Sequence, residues 1–314
     1  MGRRMASNEK VLRRLKLSDL RMLQAVVERR GMAKAAAHLN ISQPAVSKAI
    51  ATLEGALGVR LLDRTPRGVA PTEFGAALLR GGVAVFDEVR QSLERIDYLS
   101  DPNAGQIRIG CSEAGAAGFV PSVIDRFARL RPRVTFEIVT ADPATLIDRE
   151  LPQRTVDLVI CAIPNGKLLR EFDVIRLFDD KHVVMASKGS KWARARKLNL
   201  AALAEATWIL PPSTSEPGRL VAEALRRDGM DPQRRVTAFS IPLALHLLAT
   251  GPYVAVLPQI MAQLSAHLAL KVLPVNFAPI RRPVGIVTLK GRSVGPSAKH
   301  FMECAHEVAL GIDK

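Results

Sequence analysis

Cysteine is scarce in this chain of 314 residues. Cys111, Cys161 and Cys304 are its only three, with no CxxC and no spacing that would pair them as zinc ligands or as a disulfide framework. That excludes a stapled secreted scaffold, fits a reducing cytoplasm, and leaves buried, inert thiols as the reading of each. Aromatics are also few, at 4%, so Leu, Val, Ile and Ala must fill the interior that 48% hydrophobic residues imply. Long membrane-grade apolar runs are missing. The one stretch free of formal charge, between Arg235 and Lys271, holds His246 and His267 and is cut by Pro242, Gly251, Pro252 and Pro258. It reads as buried α/β structure, with no membrane partner. The N-terminal MGRRMASNEKVLRRLK is basic but lacks the apolar core of a signal peptide, so a cytoplasmic location is expected. Catalytic signatures are absent as well: no GxSxG, HExxH, P-loop or paired metal spacing occurs. Cys111 has no evident His or resolving Cys to activate it. The chain is therefore expected to be no enzyme and to need no metal or cofactor.

What the chain has in excess is positive charge, 45 Lys+Arg against 30 Asp+Glu, or +15. Residues 1–75 hold fourteen of those bases against six acids, so about a quarter of the chain carries about half of the excess. A polyanionic partner accounts for such a concentration; a basic surface kept for solubility is the plainer alternative. Within residues 17–75 the pattern is of short helices. Ser18 can cap the first, with Leu20, Leu23, Val26 and Val27 along its apolar side. Gly31 breaks it, and an Ala-rich helix through Leu39 ends at Asn40. Ser42 before Gln43 and Pro44 is a strong helix start. Val46, Ile50, Leu53 and Leu57 then fall within about 60° of one another, leaving Pro44, Ser47 and Lys48 away from the buried stripe. Gly58 stops this helix, and VRLLDRTPRGVAPT reads as strand, basic turn and strand.

A reader of double-stranded DNA needs this arrangement: a bracing helix, a tight turn, and a second helix whose exposed N-terminal side chains reach base edges. Gln43 suits adenine, Ser47 donates or accepts, Pro44 offers apolar contact to a thymine methyl, and Lys48 suits guanine or phosphate. Arg64 and Arg67, on the hairpin turn, suit phosphates or the minor groove. An ordinary small helical domain with a solvated charged face fits the periodicity equally well.

From about Glu73 to Ser100 a long helix is expected, with Phe86, Val89, Leu93 and Ile96 in a heptad-like seam suited to a homodimer. Asp101–Gly105 breaks it. Beyond lie alternating strands (106–111, 133–140, 156–162, 174–178, 182–186, 207–210, 236–240, 253–257, 270–273, 284–289) and helices (121–130, 143–150, 217–227, 242–249, 296–310). Such alternation implies parallel sheets covered by helices, and ten strands suggest two α/β lobes.

The segment AKAAAHLNISQPAVSKAIATLEGALGVRLLDRTPRGVAPTEFG resembles the winged helix-turn-helix of LysR-type transcription regulators. The residues that carry this are Ala35-Ala36, Leu39, Ser42 through Ser47, Leu53-Glu54, Leu57-Gly58, Leu61-Leu62, Arg64, Thr72 and Gly75. A weaker match continues through Pro121, Phe127, Pro132, Asp157-Leu158 and Leu257-Pro258. The resemblance implies an α/β chain with a basic extension (1–16), a winged helix-turn-helix (17–75), a linker helix that dimerises (76–103) and an effector-binding domain (104–314). That domain would be two lobes of periplasmic-binding-protein type 2, the first about 104–179 with 282–314 and the second about 180–281. It further implies sequence-specific DNA binding through Gln43, Pro44, Ser47, Lys48, Arg64, Arg67 and Thr72. A homodimer pairing into a homotetramer, RNA polymerase as partner of an activator, and a small-molecule inducer in the cleft follow from it too. Met32, Lys34 and Lys48 depart from the usual pattern; at Lys48 a forked guanine contact becomes a point charge. RTPRGVAPTEFG and DEVRQSLERIDYLSDPNAGQIRIG look closest to regulators of protocatechuate and sugar-binding-protein genes.

For the cleft, polar groups at strand ends and helix N-termini are expected. Ser112, Ala114 and Gly115 fall where the resemblance places inducer contacts. Ser213, Thr214 and Ser215, then Thr140, Asp142 and Ser240, are further candidates; simple helix capping is the competing role for each hydroxyl. Basic balance and helix N-termini favour a small carboxylate or other polar metabolite. The two chain crossings between lobes are expected near Asp179–His182 and Pro279–Pro283.

Overall fold

The computed structural model describes residues 11–66, 68–164, 170–232, 235–264, 268–277 and 280–312. The chain divides into two compact units, one ending at Arg90 and the other beginning at Gln91.

The first unit opens with three helices: α1 (Leu17–Glu28), α2 (Met32–Leu39) and α3 (Gln43–Leu57). A hairpin of β1 (Leu62–Thr65) and β2 (Gly68–Pro71) follows. Ser18 does not cap α1. The helix starts two residues earlier than such a cap implies, with Lys16 in the cap position, and Ser18 Oγ lies against Asp19 instead. Asn40 ends α2 in the left-handed conformation (φ 55°), an accessible state for an Asn side chain. Ser42 Oγ accepts from Ala45 N at 3.4 Å to cap α3, which terminates on Gly58 at φ 71°. Val46, Ile50 and Leu53 are buried as the spacing predicts. Glu54 Oε1 accepts from Leu61 N at 2.7 Å and so ties α3 to the hairpin. Gly75 must be small, because a Cβ there would stand 2.0 Å from the Leu61 carbonyl oxygen.

Helix α4 (Glu73–Ser100) has 28 residues and is about 42 Å long at the standard rise. Gly81 and Gly82 do not break it.

The second unit is built on one nine-stranded sheet in the order β4-β3-β5-β11-β6-β9-β7-β8, with β10 also on β6. Its strands are β3 (Ala104–Cys111), β4 (Arg133–Thr140), β5 (Leu158–Ala162), β6 (Phe172–Ser187), β7 (Thr207–Leu210), β8 (Arg235–Thr237), β9 (Tyr253–Pro258), β10 (Leu270–Val272) and β11 (Arg281–Leu289). The helices are α5 (Glu113–Ala117), α6 (Phe119–Leu130), α7 (Glu216–Arg227), α8 (Ile241–Thr250), α9 (Gln259–Leu264) and α10 (Pro296–Ala309). The sheet has two halves, β4-β3-β5 and β8-β7-β9, each parallel within itself. Between them β6 and β11 run antiparallel to their neighbours and to each other. The expectation of purely parallel sheets therefore fails at the crossings.

The strands expected at 174–178 and 182–186 are one strand, β6. Asp179, Asp180 and Lys181 look like a break in sequence, but β11 pairs with this stretch, and the buried Asp180 accepts from Ile260 N. The helix expected at 143–150 is a single α-turn followed by a π-turn, Leu146–Glu150, which buries Leu146, Ile147 and Leu151. Asp157 is the anchor of the first half. Its carboxylate accepts from Arg108 N (3.0 Å), Arg108 Nη2 (2.8 Å) and the buried Arg292 Nη2 (2.9 Å). Among the described residues no helix is long and apolar enough to cross a membrane, and no cluster of His, Cys, Asp and Glu is spaced to hold a metal.

Candidate functional site

At the head of α3, Gln43, Pro44, Ala45, Ser47 and Lys48 are all exposed, while Val46, Ala49 and Ile50 face the core. The Ser42 cap fixes the first turn. Arg64 is exposed on β1; Arg67 lies outside the described residues. Thr72 is half-buried, and its hydroxyl is engaged twice: it donates to Arg60 O at 2.8 Å and accepts from Gly75 N at 3.1 Å. That makes it a joint between hairpin and α4.

Along α4, Val89, Leu93 and Ile96 are exposed as the seam requires, and Val85 and Leu99 extend it. Phe86 is half-buried, so Val85 is the better member of the stripe at that end.

In the second unit a cleft of about 460 Å³ opens where the carboxyl ends of both parallel triplets converge, the position at which open α/β sheets hold ligands. Of the nine residues expected, Ser112, Ala114, Gly115, Asp142, Ser215 and Ser240 line it. Thr140, Ser213 and Thr214 do not. They are exposed outside the lining, and Thr140 is hydrogen-bonded to Cys111.

The lining hydroxyls are all helix caps. Ser112 Oγ accepts from Gly115 N (3.2 Å) and Ser240 Oγ from Leu243 N (3.4 Å). Ser215 Oγ accepts from Gly218 N (3.1 Å) and donates to Pro212 O (2.6 Å), so it is engaged in both directions. Asp142 accepts from the Thr145 hydroxyl and amide, which hold its carboxyl below the usual range.

Six charged or titratable residues that the sequence reading did not assign to the site line the cleft too: Glu113, Asp180, His182, Glu216, Arg219 and Arg282. Three of them sit at the crossings, which the sequence marked only as hinges. Asp180 and Arg282 face each other in the β6–β11 register. Burial pushes the Asp180 carboxyl up to about 6, against the pull of the Ile260, Gln259 and Lys181 amides. Burial, then the Arg282 charge, pushes His182 down to about 4, so it is neutral at pH 7. Glu113 Oε2 accepts from Ile241 N at 2.7 Å, a bond that spans the two halves. Burial also raises Cys111 to about 11 and Cys161 to about 12, which leaves both thiols unreactive.

Residues 17–76 match the family model of the bacterial regulatory helix-turn-helix protein, lysR family, and residues 100–310 match that of the LysR substrate binding domain. The regulator GbpR of Azospirillum brasilense is 30% identical over 289 residues, 91% of this chain and 84% of the relative. The transcriptional dual regulator GltC of Bacillus subtilis is 27% identical over 293 residues, covering 92% and 96%. Among solved structures, full-length CbnR in complex with its target DNA superposes with a TM-score of 0.63 at 19% identity, covering 94% of this chain and all of that one. The effector binding domain of QuiR with shikimate gives 0.53 at 20% identity, over 66% of this chain and 98% of that one. At these identities the two structures speak for the fold. The chain belongs to the LysR family of DNA-binding transcription regulators, a helix-turn-helix head followed by an effector-binding domain.

Proposed function

We propose that α3 reads base edges through Gln43, Pro44, Ser47 and Lys48, with Arg64 and Arg67 on phosphate. The α4 seam pairs two chains as a homodimer, further pairing gives a tetramer, and the cleft holds a small inducer. The observation that carries this reading is the one-sided burial of α3: a cap and four base-competent side chains in solvent, with an aliphatic stripe behind them. The domain limits go with it, a head at 17–75, a linker at 76–103 and a ligand-binding part at 104–314. As an activator the protein would act on RNA polymerase at its promoter.

The test is a mobility shift with the DNA upstream of the protein's own gene, titrated with salt and with unrelated competitor DNA. Retention of that fragment over competitor, with affinity falling steeply as salt rises, is the expected result. Equal retention of both DNAs would overturn sequence-specific reading.

A further inference from the structure

We propose that the cleft ligand is a small monocarboxylate with an apolar body, anchored by Arg282 in exchange for Glu216. The inference rests on the reading of the cleft as the inducer site and names the chemistry that site accepts.

Arg282 supplies the charge argument. Its side chain is only 11% exposed, and its Nη2 lies 3.0 Å from Glu216 Oε1. That contact is an ion pair but not a directed hydrogen bond, and Nη2 is buried without a hydrogen-bond partner. Glu216 itself is 41% exposed on the first turn of α7, so water competes for it. A buried guanidinium whose one carboxylate among the described residues is off-line and half-solvated lacks the forked contact it is built for. Neutral His182 lines the same cleft with a buried Nδ1 that also has no hydrogen-bond partner. Arg219 is the other lining cation, but it is exposed and donates to Thr214 O.

The remaining carboxylates limit the ligand to one charge. Glu113, Asp142 and Asp180 line the cleft, each already accepting from a backbone amide. A second anionic group, or a phosphate near two charges, would meet this acidic surround with only the exposed Arg219, already donating to Thr214 O, to answer it. The walls fix the rest. Phe119, Ile160, Phe178, Ile209, Val256 and Ile260 present apolar surface from both halves. A sugar would need many neutral polar partners, yet Ser215 has already given its proton to Pro212 O, and Ser112 and Ser240 have one hydroxyl proton each to offer. This narrows the sequence-based expectation, which admitted polar metabolites in general.

The experiment uses the full-length chain and four probes: benzoate, its amide benzamide, the dicarboxylate phthalate, and galactose. Thermal shift and calorimetry are expected to show binding of benzoate and none of the other three at equal concentration. Arg282→Gln should weaken benzoate at least about tenfold, Arg282→Lys should recover part of it, and Glu216→Gln should tighten it by removing the internal competitor. A melting transition of the unliganded variant like that of the wild type shows that each is folded. Stabilisation by benzamide or galactose equal to that by benzoate would overturn the monocarboxylate class while leaving the cleft a ligand site. Equal benzoate affinity in wild type and Arg282→Gln would overturn the anchor. No response to any probe from a protein that still shifts its DNA would overturn the proposal and spare the DNA-binding reading.

Discussion

Asp180 and His182 lie two residues apart on the crossing strand, and burial acts on them in opposite directions. Asp180 is raised from 3.8 to about 6, so the folded protein binds this proton more tightly than the unfolded chain does. Its contribution to stability therefore falls as pH rises from about 4 to about 6. His182 is lowered from 6.5 to about 4, so over the same window the unfolded chain holds the extra proton. Its contribution rises with pH. Each amounts to about 3 kcal/mol at a little over 1 kcal/mol per unit, and the two oppose each other across this window. Removing either partner should expose the other. In denaturant titrations from pH 4 to 6.5, Asp180→Asn should gain stability with rising pH, and His182→Gln should lose it. Parallel profiles in both variants would show that the two groups do not oppose each other. None of this was legible in the sequence, where Asp179-Asp180-Lys181 reads as a polar break between strands and His182 as the start of the next. Only the pairing of β11 across it, and the α9 amide above it, turn solvent-like residues into buried ones. The opposite holds for Ser42, whose capping role was readable because a cap depends on neighbours three residues away.

At the scale of elements, locality again separates what could be read. Helices α3 and α4 follow from spacing alone, and their exposed faces are where the sequence placed them, apart from the exchange of Phe86 for Val85 in the seam. The exposed stripe of Val85, Val89, Leu93, Ile96 and Leu99 is an apolar surface that a second copy would cover. Val89→Glu with Leu93→Glu should lower the assembly by one pairing step in sedimentation, from tetramer to dimer or from dimer to monomer, and weaken operator binding by losing bivalence. An assembly of unchanged mass and affinity would remove the seam from the interface. Helix α3 makes a separate prediction. Gln43→Ala should reduce discrimination between operator and mutated operator, at about 1–3 kcal/mol for a lost bidentate contact. Arg64→Ala should weaken all DNA alike and flatten the salt slope by about one. Intact discrimination in a Gln43→Ala, Ser47→Ala double variant would assign reading to another element. The cleft, by contrast, draws on strand ends distant in sequence, which is why capping hydroxyls were found from local pattern and Arg282 with Glu216 were not.

The whole effector-binding part turns on how its two halves are held. One sheet runs through both, and among the described residues the crossing strands β6 and β11 are the backbone ladder that joins them. Across the cleft mouth a second tie exists, from Glu113 in the first half to the Ile241 amide at the head of α8 in the second. A carboxylate on a helix N-terminus is favoured by charge as well as by the bond. If the two halves can open and close about the crossings, this tie would favour the closed arrangement before any ligand arrives. A ligand that contacts both halves then meets a site already partly organised, and its apparent affinity scales with the closed fraction. Loss of a bond to a charged group costs about 1.5–3 kcal/mol. Glu113→Ala should accordingly weaken a cleft ligand such as benzoate by about tenfold or more, and it should speed hydrogen exchange at Ile241 in the unliganded protein. Exchange is the decisive reading, because Glu113 also lines the cleft. If affinity fell while exchange at Ile241 stayed as in the wild type, Glu113 would act as a contact on the ligand, and the halves would be held by the two strands alone.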